Sequence, residues 1–220
     1  MRFVELSHEI HAGMVSYPGM PGPEITPHLT REASRDHYAP GTEFAIDRIT
    51  LVGNTGTYLD SPYHRYPGGG DLASLPLESL ADLPAVVVRT ADRAITALHL
   101  RTGEVTGRAV LLHTGWDRHW RTGEYGTAAP YLTGEAARWL ADAGAALVGI
   151  DSVNIDCTDG GERPAHSILL AAGIPVVEHL TNLDAVPDTG ARFTAAPPRI
   201  AGFGTFPVRA YAAVPDEHGR

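Results

Sequence analysis

The chain contains no lysine; all 17 of its basic residues are arginine. That excludes a Schiff-base lysine and a P-loop lysine as sources of chemistry. Cysteine is nearly absent too, with Cys157 alone, so no internal disulfide can form. With no apolar segment behind Met1-Arg2-Phe3-Val4-Glu5-Leu6-Ser7 to act as a secretion signal, the expected location is cytoplasmic. Long apolar runs are missing. The longest candidates, Pro84 to Val88 and Ala145 to Ile150, are strand-length, against the roughly 18 residues a membrane span needs. Positive charge is in deficit, 17 basic against 26 acidic residues for a net charge of −9, which argues against nucleic acid or an anionic membrane as partner. The partner left by these exclusions is a small molecule.

What is present is a chain of 220 residues, 43% of them hydrophobic. At about 150 residues per domain this is one domain, 1–220, able to bury a sizeable core. No internal period recurs. Short apolar runs between turn residues predict strands over Phe44 to Val52, Ala85 to Arg89, Arg108 to His113, Ala146 to Ile150, Ile174 to Val177, Arg192 to Ala196 and Val208 to Val214. A helix is expected from Thr133 to about Ala143, where Ala136, Trp139, Leu140 and Ala143 share a face, Thr133 caps the start and Gly144 ends it. A second runs from Pro164 to Ala172, stopped by Gly173. Residues 1–43, rich in turn formers such as Pro18-Gly19 and Pro21-Gly22-Pro23, read as an irregular arm serving the active site or a neighbouring subunit. The mixture of strands and helices without regular alternation predicts an α/β domain with mixed sheets, not a doubly wound parallel sheet.

Two segments concentrate polar groups where strands end. The first, Gly53 to Gly70, projects Asp60 and His64 four residues apart around Pro62. Carboxylate oxygen and neutral imidazole nitrogen suit zinc or manganese, but two ligands do not make a site, and an Asp-Ser-Pro turn with a surface histidine accounts for the same residues. The second runs from Gly149-Ile150-Asp151 through Glu162-Arg163-Pro164-Ala165-His166 to Val177-Glu178-His179. It places His166 in the first turn of the second helix and Glu178 just beyond a buried-type strand. Each has an ordinary reading as well, a structural histidine and a solvated strand end.

Together these segments resemble the cyclase family that includes bacterial kynurenine formamidases and isatin hydrolases, whose hallmark reads His-x-Gly-Thr-His-x-Asp-x-Pro-x-His. The run here is Asn54-Thr55-Gly56-Thr57-Tyr58-Leu59-Asp60-Ser61-Pro62-Tyr63-His64. Leu6-Ser7-His8-Glu9-Ile10, Tyr17-Pro18-Gly19, His113-Thr114-Gly115-Trp116-Asp117, Gly149-Ile150-Asp151-Ser152 and Glu178-His179-Leu180-Thr181-Asn182-Leu183 extend the likeness over nearly the whole chain. The resemblance implies a swivelling β/β/α fold, a homodimer or homotetramer, a divalent metal, and hydrolysis of an amide, lactam or lactone. It carries the family's metal ligands onto Asp60, His64, His166 and Glu178. Asn54 and Tyr58 stand where the first two hallmark histidines belong, and neither replaces imidazole well on zinc, so the expectation is one zinc or manganese per subunit.

Three readings follow. In the first, His64, His166 and Glu178 hold one metal, Asp60 is a fourth ligand or the base for a bound water, and Tyr58 and Asn54 donate to the developing oxyanion. In the second, the same groups work without metal as an acid/base cluster for a dehydration, isomerisation or ring closure of a carbonyl compound. In the third, catalysis is lost and the protein only binds. The aromatic residues Tyr17, Tyr63, Tyr66, Trp116 and Trp120 read as pocket wall or as core, Arg65 as a carboxylate partner or an exposed charge, and Asp151 as a support for His166 or a turn cap. His179 points away from Glu178 if the strand continues.

Overall fold

In a computed structural model the structure describes residues 1–17, 19–101 and 103–216; Pro18 of the expected turn lies outside them. Thirteen strands form in chain order: β1 Arg2–Glu5, β2 Glu24–Leu29, β3 Ile46–Thr50, β4 Tyr58–Asp60, β5 Leu83–Arg89, β6 Ala94–Ile95, β7 Ala109–His113, β8 Tyr131–Leu132, β9 Leu147–Ile150, β10 Val176–Glu178, β11 Thr189–Thr194, β12 Thr205–Pro207 and β13 Tyr211–Val214. Four helices join them: α1 Arg31–Ser34, α2 Ala97–Leu100, α3 Gly134–Asp142 and α4 Pro164–Ala171. Nine strands make one mixed sheet in the order β1-β13-β11-β5-β7-β9-β10-β4-β12. Its centre, β5 through β10, is parallel, and antiparallel strands flank it on both sides.

The central strands read as unbroken apolar runs because both of their faces are covered. Alternate residues divide cleanly. Ala85, Val87, Ala109, Leu111 and Leu147 enter one core, whereas Val86, Val88, Val110, Leu112 and Val148 enter another. The second core is roofed by α3 and α4 through Ala136, Ala137, Leu140, Ala165, Leu169 and Leu170. Among the described residues no α-helix contributes to the first. The sheet curls around it instead, so Val4 and Val214 from one end share a core with Leu59 from the other. One hydrogen bond joins the two ends, from the His8 N–H just beyond β1 to Thr57 Oγ1 just before β4 (3.0 Å).

Helix signals in the sequence are realised closely. Thr133 Oγ1 accepts from Ala136 N–H at 3.2 Å, Pro164 sits in the first turn of α4, and Gly144 and Gly173 follow the helices at φ +74° and +76°. Two expectations need correction. Residues 1–43 are not irregular throughout, since β1 pairs with β13 inside the main sheet and β2 pairs with β3 in a separate ribbon. The strand expected over Phe44 to Val52 forms as β3, Ile46–Thr50, with every residue exposed. Asp60 does not project from a broken sheet edge. It closes β4, a buried strand paired on both sides. No helix among the described residues is long and apolar enough to cross a membrane.

Candidate active site

Register alone assembles half of the site. Tyr58 lies opposite Glu178 on β10 and Pro207 on β12, and Asp60 lies opposite Val176 and Thr205. Because side chains alternate along a strand, Tyr58, Asp60, Glu178 and Thr205 share one face, while Leu59 and Val177 turn into the curled core. That shared face is the side on which α4 packs. Its first turn brings His166, 6% exposed, down onto the strands, and Leu169 and Leu170 below anchor the helix.

Three ligand atoms from Asp60, His166 and Glu178, all buried, lie within 4.8 Å of one another. His166 Nε2 is 3.4 Å from Asp60 Oδ2 and 3.4 Å from Glu178 Oε1. Its other nitrogen, Nδ1, is 2.7 Å from Asp156 Oδ2. Asp156 also accepts the backbone N–H of Ala165 (2.6 Å) and of His166 (3.0 Å), so one carboxylate both caps α4 and orients the imidazole. Glu178 accepts from the Tyr58 hydroxyl and from the Ile155 N–H (2.5 Å). Asn54 faces the same Tyr58 hydroxyl.

His64 stands beside these three residues, its Nδ1 3.6 Å from Asp60 Oδ1. Its Nδ1 is 2.7 Å from Thr205 Oγ1, and the Thr205 hydroxyl donates to Asp60 Oδ1. A hydroxyl has one proton to give. Since Thr205 gives it to the carboxylate, His64 Nδ1–H is the donor to Thr205, an arrangement that in the neutral imidazole puts the lone pair on Nε2. Gly204 permits the approach, because a Cβ there would sit 2.7 Å from the backbone of His64.

Burial governs the electrostatics. It pushes the Glu178 carboxyl up to about 7, against the opposing charge of His166. Burial also opposes a charge on His166, but Glu178, Asp156 and Asp60 outweigh it and raise the imidazole to about 10. Asp60 is held below its ordinary value despite burial, by His166, His64 and Thr205. Burial and the nearby carboxylates keep Tyr58 a protonated phenol. Three carboxylates thus surround one imidazole, an excess of negative charge in a buried place. A divalent cation would offset it. Two carboxylates and an imidazole whose far nitrogen is fixed by a third carboxylate are donors that zinc and manganese both accept, so the residues fit such an ion.

The triad opens into a cavity of about 710 Å³ that Tyr17, Asn54, Tyr58, His64, His166 and Glu178 help to line. Other residues noted in the sequence lie elsewhere. Asp151 accepts from Thr114 and Gly115 and caps that turn, so it is Asp156 and not Asp151 that supports His166. His179, at φ +58°, turns away from Glu178 and bonds Tyr125. Trp116 and Trp120 pack with Tyr125 and Val153 in a small cluster of their own, and the Tyr66 hydroxyl donates to the Ser167 carbonyl. Cys157 makes no disulfide. Asp156 and Thr205 escaped sequence reasoning. For Asp156 a signal existed, an acid shortly before a proline-initiated helix; for Thr205 there was none.

The sequence model of the Cyclase family matches residues 4–157, and the chain belongs to that family, whose named relatives are hydrolases. It is similar to the kynurenine formamidase of Salinibacter ruber (strain DSM 13855 / M31), 29% identical over 213 residues with 96% of each chain covered. In fold it is similar to an isatin hydrolase bound to the product analogue thioisatinate, with a TM-score of 0.81 over 97% of this chain and 92% of that one at 22% identity. A potential metal-dependent hydrolase with cyclase activity matches at a TM-score of 0.78 and 26% identity, covering 96% of each chain.

Proposed function

We propose that the protein is a metal-dependent amide hydrolase in which Asp60, His166 and Glu178 hold one zinc or manganese ion per subunit. The observation that carries this reading is the buried convergence of their three ligand atoms, braced from behind by Asp156. Bound there, the ion would polarise an acyl oxygen and lower the pKa of a water. The chain's own residues account for the remaining tasks. His64, with its lone pair on Nε2 at the cavity wall, takes a proton from the attacking water. Water's oxygen bonds to the acyl carbon, the carbon–nitrogen bond breaks, and the amine leaves with a proton returned from His64. The Asn54 amide, beside Tyr58, is available as a donor to the oxyanion. Similarity to kynurenine formamidases directs the first assays to formamides of aromatic amines.

A second reading, acid/base chemistry without metal, is favoured by one observation: a carboxyl held at about 7 against an imidazole. Elemental analysis separates the two. About one equivalent of zinc or manganese per chain, lost in His166→Ala, supports the hydrolase. Turnover that survives complete removal of metal refutes it.

A further inference from the structure

His179, the residue after Glu178, is kept at a cost. Its backbone is left-handed, at φ +58°, and its imidazole is fully buried, with Nε2 lacking a hydrogen-bond partner among the described residues. Packing alone would be served by an apolar ring, and a left-handed turn alone by glycine or asparagine. A strained and incompletely bonded residue persists where its surroundings over-determine it, most often beside a functional site.

Here the surroundings are the segments that build the candidate site. The His179 N–H donates to the Ser152 carbonyl (3.2 Å), and the His179 carbonyl accepts from Thr57 Oγ1 (2.5 Å). Ser152 leads into the segment whose Ile155 N–H holds Glu178 and whose Asp156 holds His166, and Thr57 leads into β4. The His179 ring lies 5.1 Å from the Tyr58 ring between centroids, tilted by 48°. It meets Trp120 at 5.2 Å, nearly perpendicular, and Tyr125 at 5.5 Å, and the Tyr125 hydroxyl is 3.1 Å from Nδ1. A line of contacts therefore runs from Trp120 and Tyr125 through His179 to Tyr58, whose hydroxyl donates to Glu178. His179 itself does not line the cavity.

We infer that His179 is a positioning residue of the candidate metal centre: held by Tyr125 and Trp120, its ring backs Tyr58 and keeps the phenol aimed at Glu178. The inference rests on the hydrolase reading and goes beyond it, because it gives a role to a residue that touches neither the ion nor the substrate. A phenol turns about two side-chain bonds, and tilted aromatic contacts of this spacing favour one arrangement of the rings over others. Fixing the ring fixes its hydroxyl. Placed on Oε2, that hydroxyl leaves Glu178 Oε1 turned toward His166, 3.4 Å from its Nε2.

The test is a double-mutant cycle read by calorimetric titration of metal-free protein with zinc and with manganese. His179→Asn keeps both backbone hydrogen bonds and accepts the left-handed conformation, so it removes only the ring. It is expected to weaken metal binding by about tenfold, the low end for groups that orient a ligand. In Tyr58→Phe protein, which keeps the ring contact and lacks the hydroxyl, the same substitution is expected to change affinity by less than about twofold. A merely structural histidine would cost the same in both. Tyr125→Phe, which removes the hydroxyl facing Nδ1, should weaken binding in the same direction by less, and it takes the place of His179→Asn in the cycle if that variant does not fold. Affinity unchanged within about twofold in the single variant, or an equal loss in both backgrounds, overturns the inference. If the unaltered protein binds neither metal, the hydrolase reading has failed, and the inference is judged by the same cycle on urea unfolding of the metal-free protein. The loss in the unfolding equilibrium constant must then be smaller by more than about twofold when the Tyr58 hydroxyl is absent, and equal losses overturn it.

Discussion

Asp156→Asn isolates the part played by the residue behind His166. The native carboxylate accepts three N–H groups at 2.6, 3.0 and 2.7 Å, two from the backbone of α4 and one from His166 Nδ1. Asparagine keeps one oxygen for the backbone but turns an NH₂ toward at least one of these donors. A hydrogen bond to a charged group is worth about 1.5–3 kcal/mol, and a carboxylate near a helix start adds about 0.3–1 kcal/mol. Part of the cap survives in the variant, so a net loss of about 2 kcal/mol is expected. For a chain of this size that lowers the midpoint of thermal unfolding by about 4–8 °C. The decisive measurement is metal affinity, by titration of metal-free protein followed calorimetrically. Without Asp156, His166 loses the partner that fixes its tautomer, and affinity should fall by about 10–100-fold. Asp156→Glu, which restores charge but not reach, should recover less than half of the lost midpoint temperature. If Asp156→Asn lowers stability while zinc and manganese bind within twofold of the unaltered protein, the residue is only a helix cap and the argument from Nδ1 is wrong.

Other consequences can be measured in the same protein. Tyr58→Phe leaves a buried Glu178 oxygen without its donor, so metal-free protein should lose about 1–3 kcal/mol at pH 8 and progressively less below pH 7, where Glu178 takes up its own proton; a loss independent of pH would contradict this. His8, stacked on Trp120 at 4.0 Å, is pushed down to about 4 by burial, with Asp117 opposing and Arg121 assisting. The unfolded chain therefore binds a proton near pH 6.5 that the folded chain refuses until about 4, and stability should drain away as pH falls through that window, by up to about 1.4 kcal/mol per pH unit. His8→Phe keeps the stacking and removes the proton, so urea unfolding at pH 7, 5.5 and 4.5 should show a shallower slope than the parent. Ile25, Phe44, Ile46 and Ile49 are each about half exposed on or beside the β2–β3 ribbon, and Ile25 lies opposite Ile49. We propose that copies of the chain associate through this ribbon, and Ile25→Glu with Ile49→Glu should lower the mass measured by light scattering; an unchanged mass would remove the ribbon from any assembly.

Much of this was legible in the sequence because the decisive signals were local. Apolar runs in β5, β7 and β9 announce strands covered on both faces, and Thr133, Gly144, Pro164 and Gly173 mark helix ends through backbone chemistry that any context preserves. Asp60, His166 and Glu178 were placed at strand and helix ends by their local sequence, and the resemblance to the family pattern singled them out as ligands. Hidden were the elements whose existence depends on partners far away. β4 has three residues between Gly56 and Pro62, too few to show a period, and becomes a strand only because β10 and β12 pair with it. β1 and β12 are short for the same reason. The apolar run at β3 marked a strand but not what covers it, and every residue of that strand is exposed. His64 looked like a ligand because its spacing from Asp60 is right. In the structure its Nδ1 faces Thr205, 141 residues away, whose hydroxyl donates to Asp60.

The two departures from the family hallmark also acquire a physical meaning. Histidines at positions 54 and 58 would supply ligands on the Glu178 side of the site; Asn54 and Tyr58 supply donors there instead. The Tyr58 hydroxyl gives its proton to Glu178, and Asn54 supports that hydroxyl. With the Ile155 N–H on its other oxygen, Glu178 is held in a single orientation by groups that do not themselves bind metal. On the hydrolase reading proposed above, the substitutions would leave a second ion without these donors and brace Glu178, a proposed ligand of the first. A restored double histidine, Asn54→His with Tyr58→His, separates these two effects. It should add metal-binding capacity beyond one equivalent while weakening the first site, because Glu178 loses the phenol that orients it. An unchanged stoichiometry with an unchanged first affinity would mean that neither residue bears on metal binding, and that Tyr58 serves only to fill β4.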